Sequence, residues 1–122
     1  KENLRQRAHK ETKLIEDAQK EADKIIAEAE KQADMIRQNA DGAGKKLILE
    51  AEKQGDNLIK EANNPIAKKA AEITKKEMVD KAKKQAENLN TKADKEATDL
   101  VNAAKVKADK IVNEARQKAN NQ

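Results

Sequence analysis

The sequence has no cysteine and no phenylalanine, tyrosine or tryptophan among its 122 residues. The absence of cysteine excludes disulfide bonds and thiolate metal sites, and it leaves the redox compartment open. The absence of aromatic residues removes the side chains that stack on nucleic-acid bases and that fill most globular cores. One proline and three glycines leave few residues that could interrupt a helix. An ordinary globular enzyme is therefore not expected.

Alanine and charged residues dominate what is present. Charged residues make up 41% of the chain and hydrophobic residues 36%, with alanine the commonest of the latter. Alanine buries little area, so at roughly 25 cal/mol per Å² such a chain cannot build a thick core. Low hydrophobicity with high charge is also typical of intrinsic disorder. The scarcity of helix breakers and a strict apolar periodicity favour a coiled coil or a long helix instead.

Large hydrophobic residues recur every eleven residues (a hendecad repeat) in two segments of the chain. The leading positions of the repeat are Leu14, Ile25, Ile36, Leu47 and Leu58 in the first segment and Met78, Leu89, Leu100 and Ile111 in the second. Alanine or glycine follows at most positions four and eight residues later. These spacings form one narrow apolar stripe on a helix. Eleven residues over three turns favour a right-handed supercoil.

The two segments are separated by Asn63-Asn64-Pro65, which contains the only proline. Proline inside a helix costs ~3 kcal/mol, whereas proline directly after an asparagine N-cap is a favoured helix start. Asn63 in the left-handed conformation would end the preceding helix. We therefore expect an all-α chain, in which residues 1–122 form one elongated coiled-coil domain. Its arms should cover about 4–62 and about 65–119, with the turn between them.

An antiparallel hairpin folded at this turn brings together residues that lie at equal sequence distances from Asn63. That register pairs Ile26 with Leu100 and Gly44 with Ala82. Large residues then face large ones, and small residues face small ones. Because the repeat phase and the proline site agree on this centre, we expect the hairpin, with close approach of the backbones at the alanine and glycine layers.

The alternative fold is a single long helix kinked at Pro65, in which Ile66 and Ile73 continue the stripe of the first arm. In the hairpin these two isoleucines have no partner within the chain, and Leu49 extends the apolar face beyond the stripe. We therefore predict that Leu49, Ile66 and Ile73 form a second contact surface. The expected partner is a second copy, giving a homodimer, or the helices of other proteins.

No arrangement typical of an active site occurs in the sequence. His9 is the only histidine, so no histidine–cysteine cluster can bind a metal ion, and Asp41-Gly42-Ala43-Gly44 matches no phosphate-binding loop. Carboxylates are plentiful, but nothing indicates an apolar pocket that would adapt them to acid–base catalysis. We expect no catalytic, cofactor-binding or metal-binding residues, no small-molecule substrate, and a protein that is not an enzyme.

The 27 basic and 23 acidic residues are spread along the whole chain, with a formal net charge of +4. This pattern is typical of a solvated surface rather than a nucleic-acid footprint. No run approaches the ~20 apolar residues of a membrane span, and a narrow alanine-rich face suits a membrane surface poorly. Nucleic-acid and membrane-surface binding are therefore the less favoured alternatives. The start at Lys1 weakly favours an exported or cell-envelope protein without its leader, although a trimmed sequence would look the same.

The segment 21–40, EADKIIAEAEKQADMIRQNA, resembles the alanine-rich eleven-residue coiled coil of rotary ATPase peripheral stalks, such as the b-type subunits of bacterial ATP synthases. The resemblance covers the repeat, roughly 14–62 and 78–119, and implies a helical stator that resists bending. Late-embryogenesis-abundant stress proteins also use eleven-residue repeats of alanine, lysine and glutamate. No residue's role transfers from either family. We predict a structural spacer, stalk or scaffold, with a stress-protective protein, disordered or membrane-associated, as the alternative.

Overall fold

The computed structural model describes residues 3–121 as two α-helices joined by a short connection. Helix α1 covers Leu4–Glu61, which is 58 residues, and helix α2 covers Pro65–Asn120, which is 56 residues. The helices form an antiparallel hairpin, so the predicted all-α hairpin is confirmed and the single kinked helix is not formed. The predicted arms, about 4–62 and 65–119, agree with the observed helices to within one residue.

Asparagine caps begin both helices. The side-chain oxygen of Asn64 accepts a hydrogen bond of 2.8 Å from the backbone N–H of Ala67, which satisfies one free donor of the first turn of α2. Asn3 accepts an equivalent bond of 2.8 Å from the backbone N–H of Gln6 at the start of α1. Pro65 takes the first position of α2, where its missing N–H has no helical partner to lose. The predicted start of the second arm is thereby confirmed.

The end of α1 differs from the prediction. The backbone N–H of Ala62 donates to the carbonyl of Ile59 at 3.2 Å, so the helix closes with a tight three-residue turn. No residue in the described part of the chain adopts a positive φ, so Asn63 does not take the left-handed conformation. The predicted left-handed cap is therefore wrong. The reversal uses extended or helical backbone at every position, which any residue type can adopt.

Two compact units make up the hairpin. Unit 1 combines the α1 residues up to Asp34 with the α2 residues from Ala97 onward, and unit 2 consists of Met35–Glu96 and includes the turn. In unit 1 the buried centre is formed by Ala22, Ala108 and Val112, against which Ile26 packs. Each unit therefore contains a facing pair of helical segments.

Small residues hold the helices together. The buried hydrophobic side chains are Ala18, Ala22, Ala29, Ala33, Ala82, Ala86, Ala93, Ala97, Ala104, Ala108, Val112, Ala115 and Ala119. Among the leading residues of the repeat, all are only half-buried except Leu58, which is exposed. Alanine brings backbones close but removes little apolar surface from water. The hairpin is thus closely packed at its centre and incompletely covered at its sides.

The register differs from the predicted one by four residues. A methyl group added at Gly44 would lie 2.9 Å from Cβ of Ala86 and 3.3 Å from its Cα, so Gly44 faces Ala86 rather than Ala82. This pair lies at equal distances from Pro65 instead of Asn63. In antiparallel helices a four-residue shift is close to one helical turn. The predicted centre of the pairing, Asn63, is therefore wrong by two residues.

In unit 1 the predicted pairing of Ile26 with Leu100 is also wrong. Ile26 packs against Ala108 and Val112, whereas Leu100 lies beside Ile25 on the other side of the alanine layer. The repeat has apolar positions four residues apart, so a four-residue shift keeps the stripes facing and periodicity alone cannot exclude it. A large residue against a small one holds the helices at an even, close spacing, which two facing branched side chains would not allow.

Candidate functional site

The three residues predicted for self-association are all exposed. The exposed fractions are 65% for Leu49, 84% for Ile66 and 56% for Ile73. Ile66 and Ile73 are seven residues apart in α2, so they lie on one side of that helix, away from the face that contains Ala86. Leu49 lies on the outward side of α1, about 140° around the helix from Gly44. Their role in self-association stays a prediction.

Few features in the described residues suggest chemistry. Among residues 3–121 no group of three or more histidine, cysteine, aspartate or glutamate side chains could hold a metal ion. Within the same range, neither helix has a stretch that combines the length and the apolar character of a membrane span. His9 is exposed and lines a shallow cavity with Arg5, Gln6 and Lys10, all on the first turns of α1. Among the described residues, α1 alone supplies this lining.

An open apolar groove, here called groove A, lies on one side of unit 1. Its floor consists of Ile25, Ala29, Leu100, Ala103 and Ala104, and it encloses about 680 Å³. Helix α1 forms one rim with Glu21, Lys24, Glu28 and Gln32, and helix α2 forms the other with Lys107. The groove exists because the alanine layer draws the helices together. The larger leading residues of the repeat lie beside this layer and form part of the groove floor.

A second groove of the same construction, here called groove B, lies in unit 2. Its floor consists of Leu47, Ala51, Met78 and Ala82, and it encloses about 340 Å³. Its rims are Glu50 and Gln54 from α1, and Lys81 and Gln85 from α2. Leu47 follows Ile25 by 22 residues and Met78 precedes Leu100 by 22 residues, so the two grooves use equivalent positions two repeats apart.

The other side of unit 1 is better closed. Ile26 and Val112 line a cavity of about 350 Å³ there, with Asp109, Asn113 and Arg116 among its polar lining residues. Val112 is buried, whereas Ile25 and Leu100 in groove A are only half-buried. Ile25 and Leu100 therefore leave apolar surface uncovered in groove A, whereas Val112 on the other side is covered.

Unit 2 contains a lysine within its small-residue layer. Lys75 lies opposite Gly55, where a methyl group added at Gly55 would come within 2.7 Å of Cβ of Lys75. The glycine thus leaves room for the lysine stem to cross between the helices. Lys75 stands eleven residues before Ala86, so it replaces an alanine of the repeat. Sequence reasoning missed this substitution because the second segment was read only from Met78 onward.

Two ion pairs join α1 to α2 in unit 2. Lys75 Nζ donates to Asp56 Oδ1 at 2.5 Å, and Arg37 Nε donates to Asp94 Oδ1 at 3.1 Å. The hydrogen bond to Asp56 raises the pKa of Lys75 above its ordinary value; partial burial lowers it, and the negative charges of Asp56 and Glu52 raise it further. Asp56, Arg37 and Asp94 are exposed and Lys75 is half-buried, so solvent screens both pairs and each adds little to stability.

Comparison with protein-family models, with curated proteins and with solved structures gives no match for this chain. The resemblance to rotary ATPase stalks therefore depends on the eleven-residue repeat alone and stays a prediction. What the geometry defines is a class of structure, namely a paired-helix hairpin with a small-residue interface and open apolar grooves at its sides.

Proposed function

We propose that this protein is a non-enzymatic structural coiled coil that acts as a spacer, stalk or scaffold. The observation that supports this role most strongly is the interface itself. Helices of 58 and 56 residues pack in both units through alanine and glycine layers. Bending such a pair requires the facing helices to slide past one another, and closely packed small residues resist this because no voids absorb the movement. A stiff paired helix suits a mechanical role.

The proposed partners are other helices, from a second copy of the chain or from other proteins. Grooves A and B leave apolar floors between charged rims. A helix laid in such a groove would bury its own apolar stripe against residues that the hairpin leaves half-exposed. Partner binding would then add the apolar burial that an alanine interface lacks.

A stress-protective protein, disordered until dried or bound to membrane, is the second candidate. The observation that favours it is the small gain from folding alone, since the buried hydrophobic side chains are twelve alanines and one valine. The two candidates differ in the free chain. A structural coiled coil should be strongly helical in plain buffer, whereas the stress-protective protein should be a coil that becomes helical only with alcohol or lipid.

Circular dichroism with thermal melting tests this difference. We expect a helical spectrum in plain buffer and a single cooperative melt. Ala97 is fully buried and Ala27 is exposed, and both lie inside helices of unit 1. Ala97→Glu should therefore destabilise the hairpin by about 3 kcal/mol, because it places a charge in the interface. Ala27→Glu, the matched control, should change stability by less than about 0.5 kcal/mol. A coil spectrum for the unmodified chain would refute the structural role.

A further inference from the structure

We infer that a second copy of this chain covers grooves A and B, with α1 of one copy lying on α2 of the other. The inference rests on the proposed structural role and deepens it, because it names the partner and its orientation. It places the contact on the groove floors, with Ile25 and Leu100 in unit 1, and Leu47 and Met78 in unit 2. This is a different surface from the outward positions of Leu49, Ile66 and Ile73.

A second copy would cover apolar side chains that the single hairpin leaves partly exposed. All buried hydrophobic side chains are alanines apart from Val112. The larger floor residues Ile25, Leu100, Leu47 and Met78 remain half-buried in open grooves. Burying the rest of a partly exposed aliphatic side chain is favourable, because it removes more apolar surface from water. This additional burial becomes available when the two apolar floors meet.

A second copy fits because the grooves repeat. The floors of groove A and groove B occupy equivalent positions of the eleven-residue repeat, two repeats apart on each helix. A partner therefore needs the same apolar spacing, in pairs of leading residues separated by 22 positions. This chain itself has that spacing in both helices. A self-complementary patch of this kind is what a two-fold symmetric dimer requires.

The rims carry opposite charges on the two helices. In groove B the α1 rim has Glu50 and the α2 rim has Lys81. In groove A the α1 rim has Glu21 and Glu28, with Lys24 beside them, and the α2 rim has Lys107. In each unit, then, the α1 rim is net acidic and the α2 rim is net basic. A partner should present the reverse pattern, basic over α1 and acidic over α2.

This charge pattern selects the orientation of the second copy. A two-fold axis parallel to the helices puts α1 of each copy on α2 of the other, so Glu50 meets Lys81 of the second copy and Glu21 meets Lys107. A two-fold axis perpendicular to the helices and lying in the plane of the grooves puts α1 on α1, with acidic rims facing each other. Like charges brought together at an interface weaken association. The first arrangement, with the two turns at the same end, is therefore the one that we infer.

Charge reversal on the rims tests the interface without disturbing the hairpin, because the four side chains are exposed. Glu21→Lys with Glu50→Lys should weaken the dimer at least about tenfold in sedimentation equilibrium, since both rims then repel. Adding Lys81→Glu and Lys107→Glu to the same chain should restore the dimer. Loss without restoration would overturn the inference. Helicity by circular dichroism should be unchanged in both variants.

The matched control makes the same change of charge elsewhere. Glu16→Lys with Glu77→Lys alters two exposed glutamates, one on each helix, that line neither groove. The dimer constant of this variant should stay within about twofold of the unmodified chain, since exposed charges outside an interface act only through screened long-range repulsion. An equal loss of dimer in this variant would mean that net charge, rather than the rims, controls association.

Disulfide formation tests the orientation, because the chain has no cysteine of its own. A mixture of one chain with Glu28→Cys and another with Ala103→Cys should form a crosslink on mild oxidation, since the α1 rim of one copy lies on the α2 part of the groove of the other in the inferred dimer. The Glu28→Cys chain alone should not crosslink with itself. A control mixture of Ala27→Cys and Asn102→Cys, two exposed positions outside the groove linings, should stay uncrosslinked. Efficient self-crosslinking of Glu28→Cys would contradict the orientation.

The outcomes separate this inference from the proposed function. A dimer of about twice the 13.6 kDa chain mass that depends on the rims supports both. A stable helical monomer at all concentrations, or a dimer insensitive to rim reversal, overturns the inference and leaves the structural role standing. A chain that is a coil in plain buffer overturns both.

Discussion

Units 1 and 2 close the same kind of helix pair in different ways. Unit 1 brings Ala22 and Ala108 together and seals one side with Val112 and Ile26. Unit 2 has glycine at two positions of the small-residue layer, one against Ala86 and one against the stem of a lysine. Alanine methyl groups set the helix spacing in unit 1. In unit 2 the glycines have no methyl group, which leaves room for the close approach of Ala86 at Gly44 and for the Lys75 side chain at Gly55.

The difference shows that the role of each glycine depends on the group that lies opposite it on the other helix. Gly44 faces a backbone, which cannot move away without shifting a helix, while Gly55 faces a side chain, which can be replaced. Gly42 faces nothing within 4 Å. The three glycines should consequently respond differently to the same substitution, and this response is the most direct way to sharpen the comparison between the units.

The largest effect is expected at Gly44. Gly44→Ala places its methyl group 2.9 Å from Cβ of Ala86, so the helices of unit 2 must separate, which should cost about 1–3 kcal/mol. Gly42→Ala is the matched control in the same helix. It should stabilise the chain by about 0.5–1 kcal/mol, because alanine favours the helix and meets no obstacle. Urea unfolding measures both; stabilisation by Gly44→Ala would show that the close approach does not exist.

A smaller, conditional effect is expected at Gly55. Gly55→Ala alone should destabilise unit 2, because the new methyl group overlaps the stem of Lys75. With Lys75→Ala in the same chain, the layer becomes two alanines, as at Ala22 and Ala108 in unit 1, and the clash disappears. A double-mutant cycle should therefore give a coupling of about 1 kcal/mol. Additive effects would mean that the two residues do not share a layer.

The smallest effect concerns the ion pair of Lys75. Its hydrogen bond with Asp56 raises the pKa of Lys75, so the charged lysine is favoured in the folded chain. The resulting stabilisation is fully present below the ordinary lysine pKa of ~10.4 and is lost as the pH rises through the raised value. Lys75→Met keeps the stem but not the charge. The stability difference between the unmodified chain and this variant should shrink above that pH, and a difference independent of pH would contradict the pairing.

The two-helix fold and its turn could be predicted from the sequence, because an eleven-residue stripe and an asparagine–proline pair act locally. The register could not, since stripe positions four residues apart allow Gly44 to face either Ala82 or Ala86. The choice between these two registers depends on how large and small side chains fit together across the interface, which the repeat pattern does not contain. The grooves were not predicted for the same reason: Leu100 was expected to face Ile26, and instead it lies with Ile25 in the lining of groove A.

The hairpin itself is tested most directly by a distance between spin labels in unit 1. Labels at Glu28 and Asn102 occupy exposed positions on α1 and α2. In the hairpin their separation should be about 20 Å, because packed helices lie 8–10 Å apart and the labels add their own length. Dilution with unlabelled chain removes distances between copies. A separation near the ~110 Å of a continuous 74-residue helix would contradict the fold and every conclusion built on it.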